Sequence, residues 1–490
     1  MLRTRLALLV VVAVVASATV ACGGRSGSGR GAASTLEWRT CGALECSTLT
    51  VPRDFERPDG PTFELALARH RADGDRLGVL LVNPGGPGAS GVDFLRAAIG
   101  MFGPRVREAF DIVAWDPRGV GASSAVDCGD DLDAFYAVDR SPEGLEELSA
   151  NVSAARRFTA ACAERSGAML ADVSTAATVR DVEAIRVALG VELIDYLGFS
   201  YGTVIGAGYV RAYPRRVRAM VLDGAVDLAR PYAAVLGEQA VALERALDRF
   251  LAWCGATASC RLGRPTKRTA RAAYDALVDR VESAPIRARV GGESRSLGPG
   301  ELDIAVAAAL YAGEAGYPVL GAALADAAGG SPSAALRLFD SYAGRGRDGR
   351  YSGLTAGLYA VGCLDTPAPR SVEGVAAIAD EVAVAAPHFG PSTVWLGLPC
   401  TFWPAPRVVG SDSGRAPSGP RVLVVGTTGD PVTPYAWAQS LVKSLGDAHL
   451  LTVVGSSHTA YPTGEPCVRR YVDRYLLTLA PPPPDARCPT

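Results

Sequence analysis

Short apolar runs alternate with helix-forming stretches through the first half of the chain. Residues 62–70 alternate between apolar and polar positions, which predicts a half-exposed strand, whereas the continuous apolar run over 78–82 predicts a buried one. Three further runs predict strands over 112–115, 193–197 and 217–222. Since strands that alternate with helical segments form parallel sheets, this half of the chain predicts a mainly parallel α/β sheet.

The pattern changes between residues 228 and 418. Ala- and Leu-rich stretches with helical spacing, separated by turn-rich segments, predict an all-helical insertion there. Apolar runs over 422–425 and 450–454 then indicate that the sheet resumes. We therefore predict an α/β core interrupted by a large helical lid.

The composition is that of a globular protein and indicates no polyanionic partner. The 490 residues are 48% hydrophobic and 20% charged, with a formal net charge of −2. This balance gives no electrostatic bias toward nucleic acid or an anionic membrane. Four His residues and no C-x-x-C pair argue against a zinc site. No motif of the sequence calls for another metal, a nucleotide or an organic cofactor.

The N-terminus has the pattern of a secretory signal. Arg3 and Arg5 precede an apolar segment, and small residues lead to a Thr-Val-Ala-Cys ending at Cys22 that resembles a bacterial lipobox. We expect an exported protein anchored to the membrane only through a lipid on Cys22; an ordinary signal peptide or an uncleaved anchor is the alternative. The predicted domains are a leader (1–22), a flexible tether (23–35), the first part of the core (36–227), the lid (228–418), the second part of the core (419–480) and a Pro-rich tail (481–490).

The cysteines are consistent with export. Eleven are present, and setting Cys22 aside leaves ten, an even number suited to an oxidising compartment. Sequence alone does not fix connectivity, but their spacing suggests that neighbours along the chain pair. The predicted disulfides are Cys41–Cys46, Cys128–Cys162, Cys254–Cys260, Cys363–Cys400 and Cys467–Cys488.

A G-x-S-x-G motif at residues 198–202 is the centre of the predicted chemistry. It lies between an apolar run and a small-residue stretch that is compatible with a helix, as a nucleophile elbow requires. The sharp turn would present Ser200 at the sheet edge, and glycines at both flanking positions would avoid collisions with the backbone. We predict Ser200 as the nucleophile.

A glycine-rich loop over residues 83–91 follows the strand at 78–82. Such a loop presents backbone N–H groups to negative charge, and the lysine of a phosphate-binding Walker motif is absent. With Ser200 downstream, we favour an oxyanion hole. Its predicted donors are the N–H groups of Gly86 and Tyr201, with Gly85 as a further candidate.

Asp430 and His458 each follow a predicted strand, as Ser200 does. The carboxyl ends of parallel strands share one sheet edge, so the three side chains are expected to meet there. Ser, Asp and His in this order are typical of the α/β-hydrolase fold. His458 would act as the base, and Asp430 would orient its imidazole. Without this shared position, His458 would be interpreted as an ordinary surface histidine and Asp430 as a turn-forming aspartate.

Asp116 and Arg118 lie in a second tight turn after the strand at 112–115. A direct catalytic role is one interpretation. We favour a structural role, in which both side chains satisfy backbone groups of the turn.

These motifs resemble the secreted tripeptidyl aminopeptidases of actinobacteria, serine peptidases of the α/β-hydrolase fold that are related to prolyl iminopeptidases. Asn83 is a departure from the prolyl iminopeptidases, whose loop usually begins with His. The resemblance covers most of the chain after the leader and is weakest in the lid. It rests on NPGGPGASG (83–91), DPRGVGAS (116–123), GFSYGT (198–203), VLDG (221–224), GDPVTPYAWA (429–438) and GSSHTAY (455–461).

The resemblance implies release of short peptides, tripeptides in particular, from substrates with free N-termini. Such an enzyme must bind an ammonium group, for which a desolvated carboxylate is suited, and Asp365 and Glu238 in the lid are the candidates. An esterase or prolyl iminopeptidase activity on the same triad, or a catalytically silent binding protein, are the alternatives. The sequence predicts no oligomeric state.

Overall fold

The computed structural model describes residues 36–227, 229–263, 265–408 and 422–489. The predicted leader, the tether and the lipidation site at Cys22 lie outside the described residues. The predicted lid boundaries at 228 and 418 do so as well.

A ten-stranded sheet runs through the described residues in the order β1-β2-β3-β5-β4-β6-β7-β10-β11-β12. The first three strands pair antiparallel, as do β3 and β5, and all remaining pairs are parallel. The strands are β1 (Arg39–Cys41), β2 (Leu44–Pro52), β3 (Thr62–His70), β4 (Gly78–Asn83), β5 (Phe110–Trp115), β6 (Ile194–Phe199), β7 (Val217–Asp223), β10 (Val422–Thr427), β11 (Ala448–Val454) and β12 (Arg487–Pro489). The predicted mainly parallel α/β sheet is confirmed.

Helices cover both faces of this sheet, because its central strands are apolar on both sides. One buried cluster lies under α1, α2 and α16, and a second, larger one lies under α4, α5, α6 and α15 and continues into the lid. The core helices are α1 (Gly91–Ala98), α2 (Pro104–Ala109), α3 (Asp133–Tyr136), α4 (Leu145–Ser166), α5 (Thr175–Ala188), α6 (Gly202–Ala212), α15 (Tyr435–Leu445) and α16 (Pro466–Thr478).

The lid enters the chain between β7 and β10, two strands that are neighbours in the sheet. Among its described helices, none combines the length and the apolar character needed to cross a bilayer, and the same holds for the core helices. The lid helices are α7 (Tyr232–Ala256), α8 (Lys267–Ser283), α9 (Pro299–Tyr311), α10 (Tyr317–Ala328), α11 (Ser333–Ala343), α12 (Leu354–Asp365), α13 (Val372–Ala383) and α14 (Gly390–Leu396).

The prediction that the insertion is entirely helical is wrong in one place. The lid contains an antiparallel hairpin of β8 (Ile286–Val290) and β9 (Glu293–Leu297). Gly291 and Gly292 form its turn with φ angles of +60° and +94°, a conformation that favours glycine. A Gly-Gly pair between two alternating segments is a hairpin signal, and the Ala- and Leu-rich surroundings concealed it.

The C-terminal residues also differ from the sequence-based division. Residues 481–490 were assigned to a tail outside the core, yet β12 pairs with β11 and extends the sheet. The Cys467–Cys488 disulfide fastens this strand to α16. The other four predicted pairings are present too, so the neighbour-to-neighbour disulfide prediction agrees with the structure.

Asp116 and Arg118 hold loops together, as expected for structural residues. Asp116 accepts hydrogen bonds from the Ser90 hydroxyl (2.7 Å) and from the N–H groups of Val92 and Ala122. Arg118 forms a two-pronged ion pair with Asp181 at 2.6 and 2.7 Å, and both side chains are fully buried. These contacts join the second turn to the end of the glycine-rich loop and to helix α5.

We expect Asp181→Asn to lower the free energy of unfolding by about 3–5 kcal/mol, because it leaves the Arg118 guanidinium buried without its counter-charge. Denaturant unfolding followed by circular dichroism measures this. Asp59→Asn removes a carboxylate from an exposed loop and serves as the control, with a change within about 0.5 kcal/mol. Equal unfolding midpoints for the two variants would contradict the assignment.

Candidate active site

The predicted catalytic residues follow strands that end at one edge of the sheet. β6, β7, β10 and β11 are consecutive neighbours and run parallel. Their register pairs Phe199 with Asp223 and Thr427 with Val453, so the chain leaves all four strands at similar height. Ser200 follows β6 directly, and the loops that carry Asp430 and His458 follow β10 and β11.

The turn at Ser200 has the geometry of a nucleophile elbow. Ser200 has a φ of +52°, a strained value for a residue with a side chain. A methyl group at Gly198 would lie 2.5 Å from the Gly202 carbonyl oxygen, and one at Gly202 would lie 2.6 Å from that of Asn83. Only glycine fits at either position, which is the reason that the sequence analysis gave for this motif.

Asp430 and His458 are in direct contact. His458 Nδ1 lies 3.1 Å from both carboxylate oxygens of Asp430. The buried Asp430 also accepts the N–H groups of Val432 and Thr433 and the Thr433 hydroxyl, at 2.8–2.9 Å. These donors fix the carboxylate, and the carboxylate in turn selects the imidazole tautomer with a proton on Nδ1 and a free Nε2.

Asp223 connects the Ser200 turn with the His458 loop. Its carbonyl oxygen accepts the Ser200 N–H at 2.9 Å, and its carboxylate accepts the N–H groups of Ala460 and Tyr461 at 2.8–3.1 Å. A methyl group at Gly224 would lie 3.4 Å from His458 Cε1, so the imidazole lies against this segment. Burial raises the pKa of Asp223 to about 6 against the effect of these hydrogen bonds.

The glycine-rich loop packs against the elbow. A methyl group at Gly85 would lie 2.7 Å from the Tyr201 nitrogen. The N–H of Gly85 donates to Asn83 Oδ1 at 2.9 Å, which removes Gly85 from the candidate oxyanion donors and corrects that prediction. Within the described residues, the N–H groups of Gly86 and Tyr201 donate no hydrogen bond and remain as the candidate pair.

Helix α12 of the lid contacts both sides of this candidate oxyanion hole. At its centre, Gly357 packs on Gly88, where a methyl group on Gly88 would lie 2.5 Å from the Leu358 nitrogen. At its end, Asp365 accepts the Tyr201 hydroxyl at 2.8 Å. Neither contact was predicted from the sequence, because both depend on how α12 docks on the core.

Asp365 is held by the core as well as by Tyr201. It accepts the Thr175 N–H at 3.1 and 3.2 Å, and the Thr175 hydroxyl donates to the Tyr201 oxygen at 3.2 Å. Burial raises the pKa of Asp365, opposed by these hydrogen bonds. Burial and then the Asp365 carboxylate raise the pKa of Tyr201 well above its usual range, so the tyrosine stays a neutral donor.

Glu238, the second candidate for ammonium binding, is neutralised by a cation. It forms an ion pair with the Arg230 guanidinium and accepts the Trp437 indole N–H at 2.6 Å. Next to it, Gln239 donates to the Val432 carbonyl at 3.0 Å. These contacts join the start of α7 to the loop that carries Asp430.

A cavity of about 210 Å³ lies between α7, α12 and α14. Its walls are mainly apolar, with Leu358 and Tyr359 among them, and Asp365 is the carboxylate in its lining. The cavity shares Asp365 with the Tyr201 hydrogen bond and Leu358 with the Gly88 contact. It therefore adjoins the candidate oxyanion hole.

The lid also contacts the His458 loop. Tyr311, at the end of α9, accepts the His458 N–H at 2.8 Å through its carbonyl, and its ring meets the imidazole edge to face at 5.1 Å. The Tyr311 and Tyr342 hydroxyls lie 3.0 Å apart. Lid residues thus fix both the main chain and the ring of the predicted base.

No role was predicted from the sequence for Asp223 or Tyr311. Asp223 had a usable signal, because it ends a predicted strand at the edge where Ser200, Asp430 and His458 were placed. Tyr311 had none, since its contact depends on how the lid docks. Among the described residues, no cluster of His, Cys, Asp or Glu side chains is suited to a metal ion.

The fold and the site together indicate the class of enzyme to which this protein belongs. A serine on a strained elbow, a histidine–aspartate pair on neighbouring loops and two free N–H groups near the serine are the parts of an α/β-hydrolase-fold serine hydrolase. Residues 78–293 match the family model for the alpha/beta hydrolase fold, and residues 386–488 match the model for TAP-like protein.

Similar sequences show to which family of this class the chain belongs. Serine protease Hip1 of Mycobacterium tuberculosis H37Rv is 35% identical over 482 residues, which cover 92% of this chain and 91% of that protein. Tripeptidyl aminopeptidase of Streptomyces coelicolor is 31% identical, covering 94% and 87%. A protein named carboxylesterase B from M. tuberculosis H37Rv is 35% identical, covering 93% and 88%. The chain belongs to the tripeptidyl aminopeptidase family of serine hydrolases.

We expect Ser200→Ala to lower kcat by about 10⁶-fold, because the substitution removes the hydroxyl that we predict to attack the substrate. The variant should unfold at the same denaturant concentration as the wild type. A fluorophosphonate probe followed by peptide mass mapping should label Ser200 alone in the wild-type protein. Retained turnover, or labelling at another serine, would exclude Ser200 as the nucleophile.

Proposed function

We propose that this chain is an exported serine exopeptidase that releases tripeptides from the free N-termini of its substrates through an acyl-enzyme. The observation that carries the proposal is the connection from Tyr201, the residue after the elbow serine, through its side chain to Asp365 in the lid cavity. Through this connection a half-buried carboxylate lies one tyrosine side chain away from the candidate oxyanion hole. Family membership supports a peptidase.

In the proposed mechanism, the Ser200 hydroxyl attacks the scissile carbonyl while His458 Nε2 takes its proton. Asp430 stabilises the imidazolium that forms, and the N–H groups of Gly86 and Tyr201 receive the oxyanion. His458 then protonates the leaving amine, which leaves the peptide esterified to Ser200. Water, activated by the same histidine, hydrolyses the ester and restores the enzyme.

Asp365 is the residue we assign to the substrate ammonium. Three extended residues span about 10 Å, a length comparable to one tyrosine side chain followed by a hydrogen bond. Asp365 accepts from Tyr201 and Thr175, but a carboxylate has about four acceptor positions, so it retains capacity for an ammonium group. Glu238 is the weaker choice because Arg230 already balances its charge.

We expect the wild-type enzyme to prefer a free tripeptide arylamide over one- and two-residue arylamides and over the N-acetylated tripeptide. Asp365→Asn should lower kcat/KM for the free tripeptide by about 10- to 100-fold, the value of a charge-assisted hydrogen bond, and leave the acetylated substrate unchanged. Asparagine can still accept from Tyr201, so the loss reports the charge.

Glu381→Gln removes an exposed carboxylate from the lid and is the matched control, with activity equal to wild type. Equal cleavage of free and acetylated tripeptides by the wild-type enzyme would refute the exopeptidase assignment. If Asp365→Asn lowers kcat/KM equally for both substrates, Asp365 supports Tyr201 and does not bind the substrate ammonium.

Carboxylesterase activity is the second candidate, favoured by the relative of that name and by the mainly apolar cavity next to Asp365. The same triad and oxyanion hole cleave esters. Including a short acyl ester in the substrate series distinguishes the two functions: activity confined to the ester would keep the triad and replace the peptidase proposal.

The export proposal rests on the leader pattern and is supported by the five disulfides of the described residues, which are typical of oxidising compartments. We expect the mature protein to begin at a lipid-modified Cys22, as measured by mass spectrometry of its N-terminal peptide after expression in an actinobacterial host. Cys22→Ala should release the protein from the membrane fraction. An unmodified N-terminus at another residue would contradict the lipid anchor.

A further inference from the structure

A second cavity, of about 290 Å³, lies in the lid at its contact with the core, and nothing in the proposed mechanism uses it. Its walls come from the core loop at residues 139–143 and from α8, α9 and α13. None of the predicted catalytic residues lines it, nor does Asp365. The acyl-enzyme chemistry therefore gives this cavity no role.

Five carboxylates surround this cavity. Asp139 and Asp303 are half-buried, whereas Glu143, Glu282 and Asp380 lie exposed around the opening. None of the five forms an ion pair with any described residue. Burial raises the pKa of Asp303 to about 7, and burial followed by the nearby Asp139 and Glu143 carboxylates raises that of Glu282. These carboxylates repel one another, and a cation bound among them would relieve that repulsion.

The basic groups nearby are already paired. His388 lies in the cavity wall between Glu244 and Asp275, with its ring nitrogens 2.8 and 3.1 Å from their carboxylates. Arg271 forms ion pairs with Glu244 and Asp248. Neither cation is available to neutralise the five carboxylates.

Tyr274 provides an independent indication of a ligand. Its side chain lines the cavity and is fully buried, and its hydroxyl has no hydrogen-bond partner among the described residues. Burial, and after it the nearby Asp303 carboxylate, raises the pKa of this hydroxyl well above its usual range, so the hydroxyl stays neutral. A buried polar group without a partner is costly, so a ligand that hydrogen-bonds to it gains affinity.

The arrangement of the carboxylates indicates which kind of cation the cavity can bind. They come from four separate elements, and no three acidic or histidine side chains in the described structure converge as metal ligands. A ligand with several cationic groups along a chain can meet separate carboxylates, whereas a single metal ion cannot. The aromatic walls formed by Tyr274 and Trp395 also suit an alkylammonium group.

We propose that the lid cavity bounded by Asp139, Asp303, Glu282 and Tyr274 is a binding site for a linear aliphatic polyamine. The ammonium groups pair with the carboxylates and the methylene chain lies along the aromatic side chains. Asp303 belongs to α9, whose last residue, Tyr311, accepts the His458 N–H. An occupied site therefore stabilises the helix that holds the predicted base.

Isothermal titration calorimetry of the full chain with spermidine tests this proposal and does not depend on activity. We expect saturable one-to-one binding that weakens as salt increases, a rise in Tm, and at least tenfold weaker binding by Asp303→Asn and Glu282→Gln. Asp131→Asn, which removes an exposed carboxylate of the core, should bind within twofold of wild type. Tyr274→Phe removes the unpartnered hydroxyl but no charge, and it should also bind spermidine more weakly than the wild type.

The carboxylate variants should fold, because removing one of several unpaired like charges relieves repulsion. The same titration with CaCl₂ should give no saturable binding. The proposal fails if calcium binds and spermidine does not, if Asp303→Asn and Glu282→Gln bind spermidine as the wild type does, or if binding does not saturate. Failure of these titrations would leave the peptidase proposal unaffected, since that is tested by Ser200 labelling and arylamide cleavage.

Discussion

Asp223 is the residue on which the arrangement of the active site depends. Through its carbonyl it binds the N–H of Ser200, and through its carboxylate it binds the segment after His458. A single buried residue at the end of β7 thus sets the position of the elbow relative to the histidine loop. Its raised pKa follows from burial that the backbone donors and the nearby His458 offset only in part.

The lid extends this control to groups that the core alone does not fix. Helix α12 contacts the glycine-rich loop through the Gly88–Gly357 pair and reaches Tyr201 through Asp365. Helix α9 holds the His458 main chain through Tyr311. The glycine-rich loop, Tyr201 and the predicted base are therefore all in contact with the insertion, so the lid helps to position the candidate active site.

The sequence predicted most of the core because its signals are local. Apolar runs located the strands, and the elbow glycines are required by contacts within a few residues of Ser200 or by the neighbouring β4 strand. The β8–β9 hairpin was missed because a short Gly-Gly signal was surrounded by helical composition. Asp365 was predicted as a candidate for ammonium binding, but its contact with Tyr201 was not, and neither was the contact of Tyr311 with His458. Both contacts depend on how lid helices dock on the core. The Gly85 assignment failed for a similar reason: the Asn83 side chain that occupies its N–H is recognised only in three dimensions.

The insertion of the lid between two adjacent strands has a consequence for how the enzyme is made. β7 and β10 pair directly, yet the whole lid separates them in the chain. The strand pairing that brings Ser200 and His458 to one sheet edge therefore joins residues that are far apart in the sequence. We expect such a pairing to form late in folding. The entropy lost in closing the long loop between the two strands opposes folding until the pairing stabilises the chain. Hydrolytic competence therefore arrives at the end of folding, and a chain that is still incomplete has a nucleophile without a base.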